Sequence, residues 1–352
     1  MRKLNVVICG GGDTEAWLHW RAYRGVDEAA VAGVCGTDAE ERAAVWGCRA
    51  YPSLDAALAD TAVDALELLD PLPNRTEAAE DALRAGKHVL MGAPFARASG
   101  SALRLAEAAR KYHALLMPYD HWLFYPPVKK MLRVIGKKAV GRVTSMRRRA
   151  LIAGLGGWDA YLNPEFHETQ RPPAPAANTA DVFTEIYHTL AVADRIFGPV
   201  AEIHNYSPNQ AMAPGATVVT WKHAAHATYG AMDIILAPDM NVRSAYDPRD
   251  DNIEITGSAG IIWLTRAASQ LRHEPTLRLY RGENQFAYGN LEDDWLAAFH
   301  HCVRHFAQCA LHSRAPERAA ADAARVVAAT EAAARSADTG QRIILPDAEK
   351  NK

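Results

Sequence analysis

The chain has 352 residues, 49% hydrophobic and 23% charged, with a formal net charge of −2. That length supports two domains with substantial cores, and the near-neutral charge argues against a nucleic-acid or membrane-surface partner. No apolar run approaches the roughly 20 residues a bilayer crossing needs. The only basic cluster, Arg147-Arg148-Arg149, falls in a strand-like run, where alternate side chains point to opposite faces.

Residues 4 to 120 alternate strand and helix. LNVVIC is an apolar, β-rich run, followed by GGG and the helical DTEAWLHWRAY. AAVAGVCG is a second strand and TDAEERAAVWG a short charged helix closed by Gly47. VDALELLD precedes a helix, PNRTEAAEDALRAG, with Pro near its start and Gly86 at its end. KHVLMGA and ALLMPYD are two more strands around the helix SGSALRLAEAARKYH. This rhythm predicts βαβ units and a parallel sheet.

The pattern changes after Asp120. A helix, PPVKKMLRVIG, leads into the long strand GRVTSMRRRALIAG, an irregular Pro-rich stretch and the apolar helix TADVFTEIYHTLAVADRIFG. Strands then follow closely: VAEIHNYS, ATVVTWKH, ATYGAMDIILA, NIEITGSAGIIWL and TLRLYRG. Their spacing predicts an open, mostly antiparallel sheet. Two helices and a closing strand, QRIIL, end the chain. The predicted class is α/β, with a domain over 1–122 and a second over 123–352, the last strand able to return to the N-terminal side.

Several residues carry candidate chemistry. Gly10 and Gly12 fill the first two places of Gly-x-Gly-x-x-Gly between a strand and a helix, where backbone amides and a helix N-terminus bind diphosphate. The third place is Glu15, whose charge works against that binding. Asp13 and Thr14 complete the expected turn. After the second strand Thr37 and Asp38 stand where an adenosine ribose is read, although Asp38 equally suits the N-cap of the next helix. No Arg or Lys falls in that turn, which favours NAD over NADP. Cys9 and Cys35 sit in strand-like runs and read as small core residues. Five scattered cysteines without a CxxC pair, and an N-terminus that enters a strand directly, fit a cytoplasmic protein without a signal peptide.

The segment PYDHWLFYPP follows the sixth strand, an end where ligands of open α/β sheets gather. Tyr119, Asp120 and His121 are therefore substrate or nicotinamide candidates, while Trp122 and Phe124 read as core. The long stretch GGWDAYLNPEFHETQRPPAPAAN reads as a functional loop, with Trp158, Tyr161, His167 and Arg171 as pocket residues. Glu185 and His188 have helical metal-pair spacing, and His223 and His226 a similar one. No compact ligand cluster forms, so no metal is expected.

The segments YPSLDAALADTAVDALELL, AAEDALRAGKHVLMGAPFA, LRLAEAARKYHALLMPYDHWLFYPPVKKML and DNIEITGSAGIIWL resemble, in order and spacing, the Gfo/Idh/MocA family of NAD(P)-dependent oxidoreductases. The resemblance runs almost end to end. It implies an N-terminal Rossmann domain, a C-terminal α/β domain whose sheet builds homodimers or homotetramers, and a sugar or polyol substrate. It places Asp70, Pro71, Asn74, Gly92 and Ala93 at the cofactor.

Three departures stand out. The family's Glu-Lys-Pro turn is Gly92-Ala93-Pro94, so the proton-transfer lysine is missing. Thr76 stands where a histidine is common. In the long helix the family's Asp-x-x-x-His becomes Thr184 and His188, with Glu185 the nearest carboxylate. His188 is then the expected general base, Glu185 its partner on the helix, and Tyr119 or His121 the stand-in for the lysine. Thr184 is expected at the substrate. A non-redox lyase, hydrolase or epimerase, or a ligand-binding homologue without catalysis, is the alternative that Ala93 raises.

Overall fold

The computed structural model describes residues 2–157, 181–207, 215–224, 228–266 and 275–346. The chain divides into two compact units, 1–124 with 296–327 and 125–295 with 328–352.

The first unit begins β1 (Leu4–Gly10), α1 (Asp13–Tyr23), β2 (Ala29–Cys35), α2 (Ala39–Trp46), β3 (Arg49–Tyr51), α3 (Leu54–Ala59) and β4 (Ala65–Leu69). It continues α4 (Arg75–Arg84), β5 (His88–Gly92), α5 (Ser99–Lys111), β6 (Leu116–Tyr119) and α6 (His121–Phe124). The six strands pair in the order β3-β2-β1-β4-β5-β6, all in parallel. Strands covered on both faces need continuous apolar runs, and Val6 to Cys9 and Val89 to Met91 are fully buried. The order reverses at β1/β4, the switch point where such sheets bind ligands. α4 closes with Gly86 at φ +75, its N–H bonded to Leu83 O and that of Lys87 to Ala82 O. This is the turn for which a terminal glycine is suited.

A carboxyl group interrupts the apolar run of β4. Glu67, in the middle of β4, is fully buried. It is held by His19 Nδ1 at 2.5 Å and accepts from the Tyr23 hydroxyl at 2.6 Å, both on α1. A buried carboxylate needs such partners, and these fix α1 onto the sheet.

The second unit holds α7 (Pro126–Gly136), β7 (Val143–Gly156), α8 (Val182–Phe197), β8 (Val200–Tyr206), β9 (Gly215–His223) and β10 (Tyr229–Val242). β11 (Arg249–Gly257), β12 (Gly260–Arg266), β13 (Leu277–Arg281) and β14 (Asn284–Tyr288) follow. α9 (Trp295–His312) and α10 (Ala320–Thr339) precede the last strand, β15 (Ile343–Ile344). Among the described residues the sheet has nine strands, β14-β13-β12-β11-β7-β10-β9-β8-β15, antiparallel except for β7 with β10. The closing strand thus joins this second sheet, through Ile343 opposite Ile203, and does not return to the first. What returns to the first unit is helix: 296–327 belongs with it.

Candidate active site

The loop after β1 is built around glycine. Gly10 and Gly11 have φ of +78 and +82, and a Cβ at Gly10 would lie 2.7 Å from Leu69 O. Gly12 differs: it is the N-cap of α1, and a Cβ there would meet nothing within 4 Å. Open space therefore stands in front of the amides of an eleven-residue helix. Arg42, on α2, donates to the carbonyls of Gly10 at 3.0 Å and Gly11 at 2.9 Å. Those bonds fix the two peptide planes. Asp13 and Thr14 open α1 through their backbone; their side chains lie outside the described set.

Glu15 is half-buried in the first turn. Burial raises its pKa above the usual carboxylate value, with His19 and Arg75 opposing and Asp70 and Glu67 reinforcing the rise. A carboxyl that gives up its charge more readily is less of an obstacle to a diphosphate. The loop and helix end fit the diphosphate of a dinucleotide. Gly11, Gly12 and the first amides of α1 would hold it, and Asp38 would meet the adenosine ribose. Gly36, Thr37 and Asp38 are all exposed. Asp38 does occupy the N-cap position of α2, yet its side chain makes no capping bond. Its carboxylate is 54% exposed and lies 3.8 Å from Arg42.

Beyond the switch point, Asp70-Pro71 and Ala93-Pro94 are both cis. One side chain ties the two turns together. Arg75, buried at the start of α4, pairs with Asp70 at 2.9 Å and donates to Gly92 O at 3.1 Å and Pro94 O at 2.7 Å. A Cβ at Gly92 would stand 3.1 Å from Arg75 Nη1. The guanidinium therefore occupies the side of the turn that a glutamate at position 92 would crowd. Asn74, the α4 N-cap, is left-handed at φ 54 and makes no side-chain cap. The residue that reaches this turn is Arg75, not its neighbour Thr76.

The segment after β6 is core. Tyr119 is 1% exposed, its hydroxyl donates to Phe299 O at 3.1 Å, and its ring packs 4.3 Å from that of His19. Burial pushes its pKa well up. The expectation that Tyr119 replaces the lysine is corrected on this ground: its hydroxyl serves α9. Asp120, expected at the substrate, is buried and accepts from Arg318 at 3.2 Å. His121 is half-buried and stacks on Phe299 at 5.0 Å. Trp122 and Phe124 are buried, as core residues should be.

In the second unit α8 begins at Asp181, which accepts from Phe183 N at 3.1 Å and from the Thr184 hydroxyl at 2.9 Å. Thr184 thus makes a helix-start contact, which differs from its expected substrate role. Glu185 is the centre of a buried ion cluster. Arg148, from β7, donates to it at 2.9 Å and to Asp251 at 3.0 Å. Arg249, from β11, donates to its other oxygen. Burial alone would raise the Glu185 pKa, but Arg249 and Arg148 outweigh it and hold the carboxyl at about 2.

His188, one turn on, is buried. Burial lowers its pKa to about 3; Glu185 opposes the shift, and the two arginines add to it. Glu185 raises the basicity of His188, and burial outweighs it. Both carboxylate oxygens face arginine, and the imidazole is neutral throughout the working range.

His223 accepts from Trp221 Nε1 at 2.9 Å and bonds Gly198 O at 2.8 Å, a satisfied structural histidine. Trp158, Tyr161, His167, Arg171 and His226 lie outside the described residues. Among the described residues no group of three His, Cys, Asp or Glu side chains could hold a metal ion. Nor is any helix among them long and apolar enough to cross a membrane.

Residues 4–119 match the sequence profile of the oxidoreductase family Gfo/Idh/MocA, with its NAD-binding Rossmann fold. A UDP-N-acetylglucosamine 3-dehydrogenase of Acidithiobacillus ferrooxidans is 35% identical over 122 residues, 34% of this chain and 37% of that one. The chain thus aligns with just over a third of that relative's length. An oxidoreductase of Agrobacterium radiobacter, solved with NAD+, L-tartaric acid and magnesium, is similar in fold over 97% of this chain and 98% of its own, with a TM-score of 0.77 at 17% identity. A levoglucosan dehydrogenase solved with NADH and L-sorbose superposes over 98% and 100%, with a TM-score of 0.78 at 16% identity. The sequence match to the Gfo/Idh/MocA family lies in the N-terminal third, residues 4–119, and the likeness in fold runs along the whole length.

Proposed function

We propose that this chain is an NAD(P)-dependent oxidoreductase acting on a hydroxyl or carbonyl group of a sugar-like, polyol or aromatic small molecule. One observation carries the reading: Gly12 faces open space at the N-terminus of α1, with the loop carbonyls held by Arg42. The nicotinamide, when bound, supplies hydride exchange. The chain's own residues do the rest. Gly11, Gly12 and the α1 amides hold the diphosphate, and Asp38 takes the ribose hydroxyls. A half-exposed carboxylate there, whose charge would repel a 2′-phosphate, favours NAD over NADP. His188 is the group we assign to take the hydroxyl proton: it is the buried imidazole one turn from Glu185, and burial keeps it neutral before substrate binds. A sugar-like substrate is supported by the names of the relatives, a nucleotide-sugar dehydrogenase and a levoglucosan dehydrogenase.

A second reading, an enzyme of this fold without net redox output, is favoured by Ala93 and by the buried Arg75 beside it. A homodimer or homotetramer formed through the second sheet, in the cytoplasm, belongs to either reading. Calorimetry with NAD and NADP tests the first. Binding of NAD is expected, and Gly12→Val should abolish it by filling the open volume without unfolding the loop. Absence of binding to the unaltered protein refutes the reading.

A further inference from the structure

We propose that Cys9 and Cys35 form a reversible thiol–disulfide pair that controls the nucleotide loop. β1 and β2 run in parallel, and their register places Cys9 directly opposite Cys35. Partners on adjacent parallel strands point to the same face, and such strands lie about 4.8 Å apart. That is within the roughly 4.4–6.8 Å Cα separation that disulfides span. The Cys9 thiol itself donates to Val7 O at 3.9 Å. Cys9 is fully buried, whereas Cys35 is half-buried and reachable.

The pair is chemically asymmetric. The neighbouring Cys9 thiol lowers the pKa of Cys35, with burial opposing, while the Cys35 thiol and burial raise that of Cys9. The accessible sulfur is thus the better nucleophile, and the buried one is placed to resolve it. Elsewhere burial raises Cys48 and Cys309, which makes them poorer nucleophiles. The reaction balances with a peroxide as oxidant. The Cys35 thiolate attacks one peroxide oxygen, the O–O bond breaks, and hydroxide (or alkoxide) leaves. The Cys9 sulfur then displaces water from the resulting sulfenic acid. The thiol pair gives up two electrons and two protons, and hydrogen peroxide becomes two waters.

The position gives the bond a consequence. Cys9 immediately precedes Gly10 and Cys35 precedes Gly36, and a Cβ at Gly36 would lie 3.6 Å from Gly10 N. A disulfide needs its Cβ atoms about 3.8 Å apart, so the strand ends must close by roughly 1 Å. The Gly10–Gly12 turn moves with them. A bond formed under that strain is easily reduced, as a reversible control requires. The effect on nucleotide rests on the reading of that loop as a dinucleotide site.

The test treats the reduced full chain with equimolar hydrogen peroxide. Peptides are mapped without reduction, and NAD affinity is measured before oxidation, after it and after dithiothreitol. The expected result is a Cys9–Cys35 cross-linked peptide, a loss of affinity of about tenfold or more, and recovery on reduction. Cys35→Ser should bind NAD normally and ignore peroxide. Cys9→Ala should leave Cys35 as a sulfenic acid that a dimedone probe captures. Absence of the cross-linked peptide, oxidation at another cysteine, or a cross-link with unchanged affinity overturns the proposal. If the reduced protein fails to bind NAD, the nucleotide reading and the control fail together, and the peptide map separately reports whether the bond forms.

Discussion

Arg75 explains why position 92 is glycine. Its guanidinium is buried and engaged at Asp70, Gly92 and Pro94, so it cannot retreat from a new side chain. Gly92→Ala should place a Cβ 3.1 Å from Nη1 and destabilise the protein by about 1–2 kcal/mol, read as a lower urea midpoint with an unchanged slope. Ala93→Lys should lower native activity and create no efficient polyol oxidation. The new ammonium arrives between two carbonyls already held by a cation, and no carboxylate at position 92 pairs with it. NADH formation across polyols, sugars and aromatic alcohols, with both forms, is the check. At His188 the expected loss is about 10²-fold in turnover on change to Ala. Its pKa of about 3 also predicts no protonation limb from this ring between about pH 5 and 8. A limb near 6.5 that vanishes in His188→Ala contradicts the buried, neutral imidazole.

At the scale of elements, α8 shows what a sequence reveals and what it withholds. Its apolar run and terminal Gly198 were readable, as were α4 and its Gly86 end, because periodicity and caps are local signals. The glycine loop before α1 was readable for the same reason. The environment of Glu185 was not. Its partners Arg148 and Arg249 lie 37 and 64 residues away, and only the pairing of β7 with β11 brings them together. Arg75 was hidden similarly, since its acceptors belong to another strand's turn. The short β3 and the hairpin strand β14 lacked an apolar run long enough to register. The cluster itself makes a firm prediction. Glu185→Gln leaves two buried guanidiniums without their shared anion and should cost about 3–5 kcal/mol. Denaturant unfolding measures it, and a change below about 1 kcal/mol would mean that the arginines find other partners.

Across the whole molecule, the parallel and antiparallel halves were legible from the rhythm of strands and helices, whereas the return of helix 296–327 to the first unit was not. A late amphipathic helix matches any apolar surface, so its pattern alone names no partner. The two units should also respond differently to acid. His188 in the second unit has a folded pKa of about 3, below its ordinary value of 6.5. Its stabilising contribution is therefore complete above 6.5 and is lost as the pH falls toward 3. Glu185, held at about 2, contributes fully above its ordinary 4.5 and loses that contribution as the pH falls toward 2. Both act in one direction, and together they amount to a few kcal/mol. In the first unit the downward shifts of Glu28, Asp60 and His88 have the same sign. Glu15 has the opposite one: its raised pKa adds stability at low pH that is lost as the pH rises. The second unit should therefore open first on acidification. Hydrogen exchange near pH 4, corrected for intrinsic rates, should show protection falling in β7, α8 and β11 while β1 and β4 stay protected. Simultaneous loss, or earlier loss in β1 and β4, would show that the buried Glu185–arginine cluster and His188 do not set the acid limit of the fold.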